Sequence, residues 1–228
     1  MQRAAPLAFL ASMLALALPC FADSVTLTAS RDTTLYSESA ERSNGSGSQL
    51  FAGMTASGGI RRALLAFDVA GAIPAGSRIV SVSLTLVMTR TIAGSTDLGL
   101  HPVLADWGEA GSDAPGEEGG GAPALPGDAT WRYRFLGATP WSAPGGDFAV
   151  EPRAVVTVTE PGSYRWGPTA ELAADVQRWL DGKSPNFGWI LIAEAGGEAD
   201  VSAKRFASRE NRDDPSSAPT LTIEYTPQ

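Results

Sequence analysis

Cysteine is almost missing from this chain: its 228 residues include one, Cys20. A disulfide framework therefore cannot form, and a fold in an oxidising compartment would rest on its core and its backbone ladders. Histidine is as scarce, with His101 alone. A Ser–His–Asp triad would have to use His101, which the pattern places inside a strand just before Pro102. A zinc site lacks His and Cys ligands for the same reason. Phosphate loops and dinucleotide fingerprints are absent too. Basic residues are in deficit, and the formal net charge is -8 at pH 7. Such a surface repels phosphate backbones, which excludes nucleic acid as a general partner. It also opposes polyanionic glycans, unless basic side chains cluster locally.

Apolar runs long enough to span a membrane are lacking as well. The longest, Leu7 to Leu18, falls short of the ~20 residues a span requires. With Arg3 before it and Ala22 after it, this run reads as the core of a signal peptide cut after Ala22. Cys20 is the residue a lipoprotein would modify, but Pro19 before it does not suit that processing. The expected organisation is a leader over 1–22 and a β-sandwich domain over 23–228. The expected location is secreted, extracellular or periplasmic, with no membrane insertion of the mature chain.

What the chain does have is alternation. Val25–Ala29, Asp32–Tyr36 and Leu50–Gly53 read as short strands. Ala63–Asp68 is nearly continuous apolar and belongs in the middle of a sheet. Between Arg78 and Thr89, Val80, Val82, Leu84, Leu86 and Met88 are expected on the buried face, with Ser81, Ser83 and Thr85 on the wet face. Leu98–Leu104, Thr130–Phe135, Ala154–Val158 and Ser163–Trp166 add further strands. Phe187–Glu194, Lys204–Glu210 and Ala218–Tyr225 add three more. Leu84, Leu86, Phe67, Ile223 and Trp189 are the predicted core on facing sheets.

One helix is expected, opening at Thr169 as N-cap and closing at Gly182 before Pro185. Its apolar face is Leu172, Val176, Trp179 and Leu180. The fold class is all-β, an antiparallel sandwich of about ten strands with one short amphipathic helix.

Two long excursions interrupt the pattern. Asp106–Asp128 is rich in Gly, Pro and acids, and Gly137–Arg153 carries Trp141. Asp106, Glu109, Asp113, Glu117, Glu118 and Asp128 read first as a solvated acidic loop. Calcium is the cofactor such oxygen donors would take, but no EF-hand spacing assigns a ligand set. The same acids do not form a rigidly held glycosidase pair. Trp107 and Trp141 lie in the excursions and either offer stacking planes to sugar rings or pin the loops to the sandwich. Arg62, Lys204 and Arg205, on otherwise apolar strands, are candidates to bind hydroxyls or uronate carboxylates. Arg62, Arg209 and Glu210 also read as internal ion pairs beside the core, the favoured reading for Arg209 with Glu210.

Several stretches together resemble the secreted DNRLRE domain family, to which alginate-binding carbohydrate-binding modules belong. Asp32–Tyr36 is similar to its opening. Arg62–Asp68, Ile73–Ser77 and the strand Val80–Val87 are similar to its central signature. Asp106–Glu109 and Thr130–Trp131 resemble its middle; Val176–Gly182, Asn186–Gly188 and Phe206–Glu210 resemble its end. The six-letter string of the family name does not occur. The resemblance implies a jelly-roll-like sandwich, secreted and non-catalytic.

The expected function is a non-enzymatic, carbohydrate-binding module-like protein whose partner is extracellular polysaccharide, with Trp107, Trp141, Arg62, Lys204 and Arg205 at the binding site. The alternative is a structural or adhesive component of the cell surface or matrix. N-terminal sequencing of exported material should read Asp23-Ser24-Val25; a lipid-modified Cys20 at the terminus would contradict the leader assignment.

Overall fold

Period-two alternation builds most of the molecule. The computed structural model describes residues 22–194 and 196–228, so the expected leader lies outside them except for Ala22. No helix among the described residues is long and apolar enough to cross a membrane. In chain order the first strands are β1 (Asp23–Thr28), β2 (Arg31–Tyr36), β3 (Arg42–Ser43), β4 (Gln49–Met54), β5 (Ile60–Ala66), β6 (Arg78–Thr91) and β7 (Thr96–Pro102). The short β8 (Ala122–Pro123), β9 (Tyr133–Phe135) and β10 (Thr139–Pro140) lie within the two excursions. Then come β11 (Ala154–Val158), β12 (Gly162–Trp166), α1 (Ala170–Leu180), β13 (Trp189–Ala193), β14 (Lys204–Ala207) and β15 (Thr220–Thr226).

Eleven of these strands form one curled antiparallel sheet that folds into two layers. In the first layer β15 pairs with β6 from Arg78 to Thr85, and β14 pairs with it from Met88 to Thr91. The two thus run end to end along β6, while β12 pairs with Leu84–Met88. β1 and β4 continue that layer outward from β15 and β14. The second layer runs β2, β5, β13, β7, β11. The fold is all-β and sandwich-like, as expected from the sequence.

The main core fills the space between the layers. Leu84, Leu86, Met88, Phe206, Leu221 and Ile223 face Leu65, Leu98, Leu100, Trp189 and Leu191, with Phe67 and Trp166 between them. The five predicted core residues are all buried.

The first half of β6 departs from the expected facing at Val80 and at Ser83, which was expected on the wet face and is 1% exposed. Val80 was expected inside, yet it is 48% exposed while Ile79 is buried. The pairing explains it: Glu224 lies opposite Ser81 and Tyr225 opposite Ile79, so Val80 is the extra residue of a β-bulge. A bulge shifts the facing by one residue and leaves Val82 onward in register with the core.

The second layer is apolar on both faces. Trp189, Leu191 and Ala193 of β13 point into the main core. Ile190 and Ile192, with Leu35, Leu64 and Ala66, point the other way and meet Val103, Trp107, Ala129 and Trp141. The excursions therefore form a third layer over the outer face of the sheet. Gly108 permits this closely: a Cβ there would lie 1.9 Å from the Gly127 carbonyl oxygen. Of the expected strand Thr130–Phe135, only Tyr133–Phe135 is a strand; Thr130 instead holds a turn through its Oγ1, which accepts from the Tyr133 N–H at 3.1 Å.

The helix begins where Thr169 predicts. Its Oγ1 accepts from the Leu172 N–H at 3.1 Å and donates to the Arg153 carbonyl at 2.8 Å. Leu172 and Val176 are buried, and Trp179 and Leu180 pack against the same core. Asp175, also buried, accepts from Trp189 Nε1 at 3.1 Å and Arg153 Nε at 3.1 Å, which ties the helix to β13.

The bulge is open to a direct test. Leu84→Ala should cost about 2–5 kcal/mol through lost burial and a cavity, whereas Val80→Ala should stay within about 0.5 kcal/mol. Comparable losses for both in urea melts would show that Val80 faces inward after all.

Candidate functional site

The excursions are ordered by their own side chains. Trp107 is fully buried, donates Nε1–H to the Phe187 carbonyl at 2.9 Å, and carries the Arg31 guanidinium 4.7 Å above its ring. Trp141 is buried and donates Nε1–H to the Thr130 carbonyl at 2.9 Å. Neither indole offers a free face, so the stacking role expected of them is corrected: both pin loops to the outer apolar face of the sheet. The cause is that Ile190, Ile192 and Leu64 need covering, and a buried indole supplies area while its N–H keeps a partner.

The acids of the first excursion are likewise not all solvated. Glu118 is buried at φ 62 and accepts from Asn44 Nδ2 at 2.8 Å, the Gln49 N–H at 2.9 Å and the Ser48 N–H at 3.1 Å. Asp128 is buried and accepts from the Ala110 N–H at 2.6 Å and the Leu125 N–H at 2.8 Å. These carboxylates replace a ladder for loop N–H groups that have none.

Of the predicted basic residues, two are committed internally. Lys204 is fully buried and donates from Nζ to Thr91 Oγ1 at 2.7 Å and to the carbonyls of Ala93 and Gly94, closing the turn after β6. Desolvation holds its pKa below the usual lysine value. Its ammonium is spent on that turn and is not free to bind a uronate, although the residue borders the cleft described below. Arg62 makes a bidentate pair with Glu198 at 2.8 and 2.7 Å and lies over Trp131 and Phe148. It lines a shallow groove of about 620 Å³ with Leu104, Phe148 and Val150. His101, buried, meets the Ala149 carbonyl through Nδ1 at 2.9 Å and Glu194 Oε1 through Nε2 at 2.5 Å, so both ring nitrogens face oxygens that are not hydroxyls.

Arg205 remains available, and the structure gives it a partner. Across three neighbouring strands Phe51, Arg205 and Arg90 lie in one row. Simple alternation from Met88 would turn Arg90 inward. The pairing instead sets Phe206 opposite Met88 and Arg205 opposite Arg90, so Thr89 is bulged and Arg90 faces out. Like charges directly opposite on adjacent strands repel. Here one carboxylate bridges them: Glu117 accepts from Arg90 Nη1 at 2.7 Å and from Arg205 Nη1. Phe51, Ile92 and these three charged residues line a cleft of about 180 Å³ with an apolar surface.

A second cluster lies where β2 begins and β14 ends. One carboxylate oxygen from each of Asp32, Glu109 and Glu210 falls within 4.8 Å of the others. Glu109 Oε1 accepts from the Asp32 N–H at 2.7 Å, and Asp32 Oδ2 accepts from the Arg209 N–H at 2.8 Å. Arg209 Nη2 donates to Glu109 at 2.7 Å and to Glu210 at 2.5 Å. The internal pairing of Arg209 and Glu210 read as one option in the sequence is thus present. Burial lifts all three carboxylates above their usual range. Sequence reasoning had only Glu109 among its calcium candidates, because the others lie far away in the chain.

No protein-family model matches this chain, and no curated protein matches it.

The cluster predicts a pH dependence. Burial raises Glu210 from 4.5 to about 7, with Arg209 opposing and Glu109 adding to the shift. The folded-state pKa lies above the unfolded one, so the contribution to stability is full below about pH 4.5 and is lost as pH rises through about 7. In chelator, the unfolding free energy from urea melts should decline across that window, and Glu210→Gln should flatten the decline. A wild-type profile with the same slope as Glu210→Gln would contradict the assignment.

Proposed function

We propose that this is an exported, non-enzymatic protein that binds acidic extracellular polysaccharide at the row Phe51, Arg205, Arg90. The observation that carries the reading is the bridge between the two arginines. A side-chain carboxylate, Glu117, sits between two guanidinium groups over an apolar floor, and its own side chain is 69% exposed. A uronate carboxylate presents the same group to the same donors, and a guanidinium binds it through paired, charge-assisted hydrogen bonds. The apolar face of the sugar ring would then lie toward Phe51 and Ile92. A local pair of guanidinium groups is what a chain of net charge -8 requires to attract a polyanion. The motif order that resembles the DNRLRE family, and the signal-like N-terminus, support export and a binding role.

A structural or adhesive role has one observation of its own. Leu104 and Val150 are 60% and 82% exposed and flank Phe148 in the groove beside Arg62. Exposed apolar residues grouped in this way mark protein contacts.

Titration calorimetry with uronate oligosaccharides decides between them. Arg205→Ala and Arg90→Ala should each weaken binding by about tenfold or more, near 1.4 kcal/mol. Glu117→Gln should strengthen it by removing the competing carboxylate, and added salt should weaken it. If no acidic glycan binds, or if affinity ignores both arginines, the glycan reading fails. Self-association abolished by Leu104→Ser with Val150→Ser would then favour the adhesive role.

A further inference from the structure

We propose that Asp32, Glu109 and Glu210 bind one divalent cation of the calcium type, which takes the place of the Arg209 guanidinium. The site shares no residue with the arginine row and stands independently of the glycan reading. Its components are fixed by the fold. Asp32 is the second residue of β2, Glu210 follows β14, and Glu109 is held two residues beyond the buried Trp107.

Three observations converge. The three donor oxygens lie within 4.8 Å of one another. Calcium binds carboxylate oxygens at about 2.3–2.6 Å, so one ion can reach donors that far apart. Asp32 is fully buried, and its Oδ1 has no hydrogen-bond partner; Glu210 Oε2, also buried, has none. Leaving such oxygens unpaired is costly, and native chains rarely do so. A cation satisfies both oxygens at once.

The charge balance points the same way. Three carboxylates face one directly bonded guanidinium, that of Arg209, which spans only Glu109 and Glu210 through its side chain. Arg31, the next nearest cation acting on Glu109, is turned to Asp106 and the Trp107 carbonyl. Arg209 lies on the open side of the cluster with its side chain 34% exposed, so it can leave toward solvent as an ion enters. Water would complete the coordination from that side, since calcium takes six to eight ligands.

The test uses the full chain, stripped with chelator and dialysed, titrated with calcium chloride and then with magnesium chloride. One ion per chain should bind, and saturating calcium should raise the melting temperature by roughly 5 °C. Glu210→Gln and Asp32→Asn should each weaken calcium binding by about tenfold or more, with circular dichroism reporting that the fold is kept. Should Asp32→Asn fail to fold, Glu210→Gln at the rim carries the same test. Arg209→Gln should tighten binding, because it removes the competing cation. A folded wild-type chain with neither heat nor thermal shift at millimolar calcium or magnesium overturns the proposal. So does calcium binding unchanged in Glu210→Gln, or an Arg209→Gln variant that binds no more tightly than wild type.

Discussion

The two-sided apolar strand β13 is the constraint on which the rest depends. In Trp189–Ala193 every residue is buried, three facing the sandwich core and Ile190 and Ile192 facing away from it. A sheet with two apolar faces has to be covered twice. The first cover is the layer built on β6. The second is the pair of excursions, which close over the sheet through Trp107, Trp141, Val103 and Ala129. That second burial decides where ligands cannot go: the outer face of this layer is already occupied by the chain itself.

Covering a sheet with irregular chain leaves many N–H groups without ladder partners, and here acidic side chains meet the demand. Glu118 serves Ser48, and Asp128 serves Ala110 and Leu125. Much of the acidity of the first excursion is thus internal scaffolding. Two groups of acidic side chains stand outside that role. One is Glu117, reaching from the excursion to the cross-strand arginines. The other is the cluster around Asp32, where carboxylates outnumber the cations that touch them. The proposed functions rest on these two imbalances.

The bulges link fold to surface chemistry. Two of them lie on β6, one at Val80 and one at Thr89. Each adds a residue to one strand without a partner on the next and reverses the facing beyond it. At Val80 the effect is to expose a valine. At Thr89 it moves Arg90 from the core side to the side of Arg205, and without that shift there would be no arginine pair.

The sequence by itself determined the elements whose signal is local. Alternation in β6 and β15, the continuous apolar runs of β5 and β13, and the Thr169 cap each depend on neighbours a few residues away, so they were legible. So were the five core residues. Only the tertiary structure decided which side chains are free. Trp107 and Trp141 looked exposed because loops are usually at the surface, yet burial depends on what lies across space. Lys204 looked available because strand residues alternate, yet its Nζ closes a turn 110 to 113 residues earlier in the chain, through Thr91, Ala93 and Gly94. Arg90 was missed because a bulge is a mismatch between two strands and is written in neither alone. Asp32, Glu109 and Glu210 meet for the same reason. Each lies in a different stretch of chain, and only strand pairing and loop packing bring their charges within reach of one ion.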